Sequence, residues 1–241
     1  MKNSIIKSRI FPLDVCVTHF QSDKNKKSLF CANGFIYRRF ERFYLVTALS
    51  VVTGRDIYTG QIKHLNNFVP DCLVFNLVDK IRGKKQPFSV PLYMDDMPVW
   101  MVHPTKQRTI DLAVIPLDEK ITGIAALNDF ETDLLNLTDD VFMCGYPLSF
   151  YQDEDKNAPL LQKTNIVSDE EDHYEIESLN RQGFYGALLF ANQKDSFLPA
   201  FLGVYSGFDK SNTSFESQTS VWKKELIDEI IDSEFFDESY M

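Results

Sequence analysis

Short β-forming segments recur along this chain between turn-rich stretches, and helical spacing replaces that rhythm only near the end. Two segments, residues 34–40 and 42–47, adjoin within LFCANGFIYRRFERFYLVTALSVV and predict a hairpin with the charged RRFER stretch at or near its turn. Others fall at residues 72–77, 99–103, 112–117, 141–145, 174–176, 187–190 and 201–205. Strands this short and this numerous predict an all-β barrel or sandwich. Near the C-terminus, Val221, Trp222, Leu226, Ile227, Ile230 and Ile231 recur at helical spacing. They follow a Ser/Thr-rich start at 217–220 able to supply an N-cap, so one helix is expected there, its apolar face against the β body.

The chain is long enough to fill such a body. At 241 residues, 44% hydrophobic with 20 Phe and only 10 Gly, it has the material to bury roughly three quarters of its unfolded surface. Wholesale disorder is excluded. No stretch approaches the roughly 18 consecutive apolar residues of a membrane span. Lys2, Lys7 and Arg9 interrupt the N-terminal apolar pairs, so no secretory signal is read and a cytoplasmic location, away from membranes, is expected. Cys16, Cys31, Cys72 and Cys144 form no CxxC pair and are expected to be reduced, mostly buried thiols. His19, His64, His103 and His173 show no HxxxH or HExxH spacing, so neither a metal nor another cofactor is expected.

Charge divides the chain more than its net value of −10 suggests. Residues 1–85 carry 15 basic and 6 acidic side chains (+9), and residues 86–241 carry 10 basic and 29 acidic (−19). Seven of those acids lie in the last 17 residues, and seven more in the segments QDEDK and SDEED. Lys24, Lys26, Lys27, Arg38, Arg39 and Arg42 make the basic half a candidate partner-binding surface, open either to an acidic protein or to the chain's own acidic half. General nucleic-acid binding is disfavoured by the net acidity and is kept only as a lesser alternative. Nothing in the pattern calls for a small-molecule ligand.

The order of segments resembles the trypsin-like serine proteases. Residues 44–54, YLVTALSVVTG, resemble the strand and turn that carry the family's general-base histidine, and residues 110–117, IDLAVIPL, resemble the segment of its triad aspartate. Residues 182–190, QGFYGALLF, fall where the family has Gly-x-Ser-Gly, and residues 201–207, FLGVYSG, resemble the strand that follows. Residues 141–148, VFMCGYPL, are similar to a Gly-Tyr-Pro turn of bacterial intracellular members. The resemblance implies a single domain, 1–241, of two packed six-stranded antiparallel β-barrels with a C-terminal helix. Its expected parts are an N-terminal barrel (1–118), a C-terminal barrel (119–216), the helix (217–233) and an acidic tail (234–241).

The implied chemistry does not follow the implied fold. Acyl transfer at such a site needs a hydroxyl activated by an imidazole, which a carboxylate orients. The alignment puts Ser50 at the imidazole position and Tyr185 at the nucleophile position; of the three, only Asp111 matches. None of the four histidines lies within two residues of Ser50, and no serine or cysteine falls between Asn180 and Phe190. Leu49, Phe184 and Leu188 depart from the pattern as well. The resemblance therefore implies an inactive member, a pseudoprotease without a catalytic residue.

Asp111, with no imidazole to orient, is left to hydrogen-bond Ser50 or backbone N–H groups at the barrel junction. The Gly183 to Tyr185 backbone matches the oxyanion turn, with Leu179 and Glu177 nearest the specificity pocket. The cleft is then either filled by Tyr185 or open to a bound peptide segment. A protein-binding, scaffolding or regulatory role is the leading expectation, in the setting of bacterial signalling or antiphage systems that the resemblance suggests. The alternative is a peptidase with a non-standard site, in which His64 or His103 swings in from a loop.

Overall fold

The computed structural model describes residues 7, 9–18, 26–62, 67–78, 85–117, 124–130, 137–146, 158–177, 184–193, 199–208 and 219–236. The first half lays down β1 (Ile10–Thr18), β2 (Lys26–Arg39), β3 (Arg42–Thr47), a short helix α1 (Leu49–Thr53), β4 (Cys72–Val78) and β5 (Lys85–Pro91). A small hairpin of β6 (Tyr93–Met94) and β7 (Met97–Pro98) precedes β8 (Ala113–Pro116). Six of these strands form one antiparallel sheet in the order β5-β4-β1-β2-β3-β8. The expected hairpin is β2–β3, closed with Arg39 opposite Arg42, and its turn residues Phe40 and Glu41 both have positive φ, 50° and 61°.

The second half contains β9 (Leu137–Gly145), β10 (Leu160–Thr164), β11 (Ile166–Asp169), β12 (His173–Ile176), β13 (Leu188–Gln193), β14 (Ala200–Phe208) and β15 (Thr219–Lys223). They form a seven-stranded sheet in the order β10-β9-β13-β14-β15-β12-β11. Its two edge strands are separated in the chain by Asn165 alone, so β10 and β11 are halves of one bent strand and the sheet curls back on itself. The expected count of six is the seven observed segments with this bend counted once. The fold is therefore two curled antiparallel sheets, as the sequence implies.

The core explains why some strands read as alternating and others as continuous apolar runs. In β4, Leu73, Phe75 and Leu77 point into the first barrel with Leu13 and Val15 of β1, on a period of two. In β2, β3 and β8, neighbours are buried on opposite faces. Ile36, Leu45 and Ile115 enter the first barrel, while Phe35, Val46 and Val114 enter a second cluster shared with Leu188, Phe190 and Val204. Strands covered on both sides lose the polar half of their alternation.

The C-terminal helix α2 (Glu225–Ser233) starts later than its spacing suggests. Val221 and Trp222 belong to β15, which runs between β12 and β14, with Val221 inside the second barrel and Trp222 on the interbarrel side. A two-sided strand followed at once by an amphipathic helix imitates one longer helix. The expected cap at 217–220 is not used: Thr219 and Ser220 are strand residues, and Ser217 lies outside the described residues. Lys224 is the N-cap residue and makes no side-chain cap bond; Glu225 and Asp228 in the first turn complement the helix dipole instead.

Leu226, Ile227, Ile230 and Ile231 join the interbarrel cluster, and the polar edge of α2 binds the basic half of the chain. Arg39 grips Asp232 with two bonds, 2.7 and 2.6 Å, and reaches Asp228 at 2.7 Å. The Tyr37 hydroxyl donates to Asp228 at 3.1 Å. Because Arg39 and its acids are partly exposed, Arg39→Ala is expected to cost about 1 kcal/mol. Urea unfolding at low and high salt checks this: the loss should shrink as salt rises, and a salt-independent loss would show that the aliphatic stem, not the charge, matters.

Candidate active site

The strand β3 ends at Thr47, and Ala48 turns the chain into α1. Ala48 is the N-cap residue of α1 and has no side chain to bond its free N–H groups. Asp111, in the segment leading into β8, fills that role from across the sheet. Its Oδ1 accepts the Ser50 N–H at 2.6 Å and its Oδ2 accepts the Ser50 hydroxyl at 2.9 Å. Both residues are buried, 2% and 4% exposed. A carboxylate at the first turn of a helix is favoured by the N–H groups left unpaired there and by the helix dipole.

This pair has little capacity for catalysis. The Ser50 proton is held by a carboxylate engaged through both oxygens, and a carboxylate is too weak a base to activate a serine alone near neutral pH. The described histidines are committed elsewhere. His103 Nε2 lies 3.1 Å from Glu229 on α2 and its Nδ1 accepts from the Thr105 N–H at 3.3 Å, while His173 packs its ring on Trp222. His19 and His64 lie outside the described residues.

Tyr185 lies at the start of the tight turn preceding β13, with its ring packed on the core of the first barrel. Burial pushes its phenol above the ordinary tyrosine range, and the charges of Asp111 and Asp56 push the same way. The phenol is therefore protonated at neutral pH and is not a nucleophile. The structure thus brings Ser50, Asp111 and Tyr185 to one junction, with Ser50 and Asp111 in direct contact and Tyr185 within the field of Asp111.

The residue that builds this junction, Asn33, was not singled out by sequence spacing. It sits in β2 with 0% exposure, and its side chain ties the two barrels together. Asn33 Oδ1 accepts the Tyr146 N–H at 2.6 Å, and Nδ2 donates to the carbonyls of Tyr185 at 3.2 Å and Tyr146 at 3.4 Å. Its backbone N–H donates to the same Tyr185 carbonyl at 2.8 Å, and its own carbonyl accepts the Thr47 hydroxyl at 2.8 Å. Gly186 then passes so close that a Cβ there would stand 2.1 Å from the Asn33 carbonyl oxygen, and its φ is +78°. A lone amide within the apolar run 29–37 of β2 was the available signal, since a buried Asn must find partners for both ends of its amide.

Several other sequence candidates can be placed. Arg38 and Arg39 have partners within the chain: Arg38 binds Asp129 at 3.0 Å, and Arg39 binds α2. Part of the acidic half is engaged similarly, with Lys106 on Asp172 and Lys223 on Asp169, both at 2.7 Å. Arg42 is exposed at the foot of the β2–β3 turn, and Glu177 is exposed and accepts from Asn165 Nδ2 at 2.9 Å. Gly183, Leu179 and Lys24 lie outside the described residues, as do the side chains of Lys26 and Lys27. Among the described residues, no group of three His, Cys, Asp or Glu side chains could hold a metal, and no helix is long and apolar enough to cross a membrane.

No family model matches the sequence, and no curated protein matches it. Solved structures do match its shape. The crystal structure of a scabies mite inactivated protease paralogue superposes with a TM-score of 0.51 at 12% identity, covering 97% of this chain and 96% of that one. A Glu endopeptidase crystallised with MPD gives a TM-score of 0.51 at 12% identity, covering 94% and 90%. The fold is trypsin-like. Across so little shared sequence the trypsin-like likeness carries architecture alone, and chemistry has to be argued from the junction itself.

Proposed function

We propose that this chain is a catalytically inactive trypsin-like protein that works by binding another protein. The observation that carries this reading is the closed Ser50–Asp111 pair. On the resemblance, these are the base and aspartate positions of the triad, and here they satisfy each other with no imidazole between them. Tyr185, at the nucleophile position, is a protonated phenol packed on the first barrel, which supports a filled cleft over one open to a substrate carbonyl. The likeness in fold to an inactivated protease paralogue supports this reading. The two-sided charge of the chain supplies the means of holding a protein partner by its loops and faces. With Arg38 and Arg39 bound within the chain, Arg42 and the Lys24 to Lys27 segment are the stronger candidates for that contact. The similarity of residues 141–148 to a Gly-Tyr-Pro turn of bacterial intracellular members suggests the setting we propose, a regulatory subunit in the cytoplasm beside signalling or antiphage effectors.

The purified protein is expected to take up no fluorophosphonate and to cleave no peptide library, while as bait in native host extract it retains one stoichiometric partner. Neutralising Lys24, Lys26, Lys27 and Arg42 should weaken that capture. Labelling of any serine would overturn the inactivity. A bait that retains nothing would overturn the binding role and leave the frame without a proposed function.

A further inference from the structure

We infer that Cys16 and Cys72 form an oxidation site that closes to a disulfide when the protein meets a hydroperoxide. The two residues are far apart in sequence but are direct partners in the β1–β4 ladder. Facing residues of an antiparallel pair have Cα atoms about 4.5–5.5 Å apart, within the range a disulfide spans, and their side chains leave the same face of the sheet. Neither cysteine belongs to the first-barrel core, whose neighbours Val15 and Leu73 point the other way. Both are reduced and nearly covered, 2% and 4% exposed, and the Cys72 sulfur lies 3.1 Å from the hydroxyl of Ser89 on the solvent-exposed strand β5. We assign the first encounter with peroxide to Cys72, the cysteine beside this exposed edge strand.

The reaction balances without another reagent. The Cys72 thiolate attacks a peroxide oxygen, the O–O bond breaks, an alcohol or water leaves, and Cys72 becomes a sulfenic acid. The Cys16 sulfur then attacks the Cys72 sulfur, the S–O bond breaks, water leaves and the S–S bond forms. The two thiols supply two electrons and the peroxide accepts both. The other cysteines are internal controls. Cys31 faces Asp14 and is only a diagonal neighbour of Cys16, while Cys144 is buried in the interbarrel cluster with its thiol pushed up to about 12, where little thiolate forms. The ladder that would be stapled has only three residue pairs, and it attaches the β4–β5 hairpin to the rest of the sheet.

The test uses the folded chain, hydrogen peroxide at a few equivalents, alkylation and peptide mapping by mass spectrometry. The expected product has lost two hydrogens, yields a Cys16–Cys72 linked peptide, and melts about 5 °C higher than the reduced protein, a rise reversed by dithiothreitol. Cys31→Ala should behave as wild type, and Cys72→Ala should give neither the linkage nor the rise. A linked Cys16–Cys31 peptide would overturn the assignment. So would four thiols still open to alkylation in the unfolded, peroxide-treated wild type, a result that needs no variant to fold.

Discussion

Gly186→Ala is expected to destabilise the protein by about 5 kcal/mol, a fall in Tm of roughly 10–20 °C for a chain of this size. Two terms add. A φ of +78° is strained for any residue with a Cβ, and the new methyl would stand 2.1 Å from the Asn33 carbonyl oxygen and 2.8 Å from the Thr47 hydroxyl. Neither neighbour is free to yield, because Asn33 is fixed by bonds to Tyr146 and Tyr185, and Thr47 is bonded to Asn33 itself. Gly60 separates the terms. Its φ is +70° but nothing lies within 4 Å of a Cβ built there, so Gly60→Ala is expected to cost only the backbone strain, about 1 kcal/mol. Urea unfolding of the two variants beside wild type measures both. A Gly186→Ala protein as stable as Gly60→Ala would mean that the turn leading into β13 is not pressed on the first barrel, and the junction as described would fall.

The same close approach shows what sequence could and could not reveal. The β2–β3 hairpin was legible because its apolar runs are interrupted by one charged stretch, and the turn falls inside that stretch at Phe40 and Glu41. β5 was not legible: its residues KQPFSVP contain two prolines and are mostly exposed, which suits a sheet edge and hides the strand. β1 was obscured by Pro12 and Asp14 within its nine residues. The helix start was misplaced because Val221 and Trp222 serve two different cores from one strand, which helical spacing also satisfies.

At the site, Ser50, Asp111 and Tyr185 were reachable through order and motif, and the hydrogen bonds between Ser50 and Asp111 were among the expected outcomes. Asn33 stood out only as a lone amide in an apolar run, and its partners were out of reach, since Tyr146 and Tyr185 lie more than a hundred residues away. The Cys16–Cys72 opposition was equally hidden, because only the register of β1 on β4 creates it. Periodicity reports which face a residue takes; it carries no information about which distant residue shares that face.

Asp111→Ala is expected to cost about 3 kcal/mol, because it strands the Ser50 N–H and hydroxyl, both buried, and removes the group that caps α1. Asp111→Asn should lose only about 1 kcal/mol: its amide oxygen still accepts the Ser50 N–H, its NH₂ can donate to the Ser50 hydroxyl oxygen, and what is lost is the charge at the helix start. Ser50→Ala keeps the backbone bond and should also lose about 1 kcal/mol. Equilibrium unfolding gives all three values, and the pattern discriminates between roles. A carboxylate kept for geometry tolerates its amide, so the ordering Ala far above Asn and Ser50→Ala marks a structural cap. If Asp111→Ala proved neutral or stabilising, the buried carboxylate would be a cost to the fold, which is how a group maintained for chemistry behaves. The inactive reading would then lose the observation that carries it.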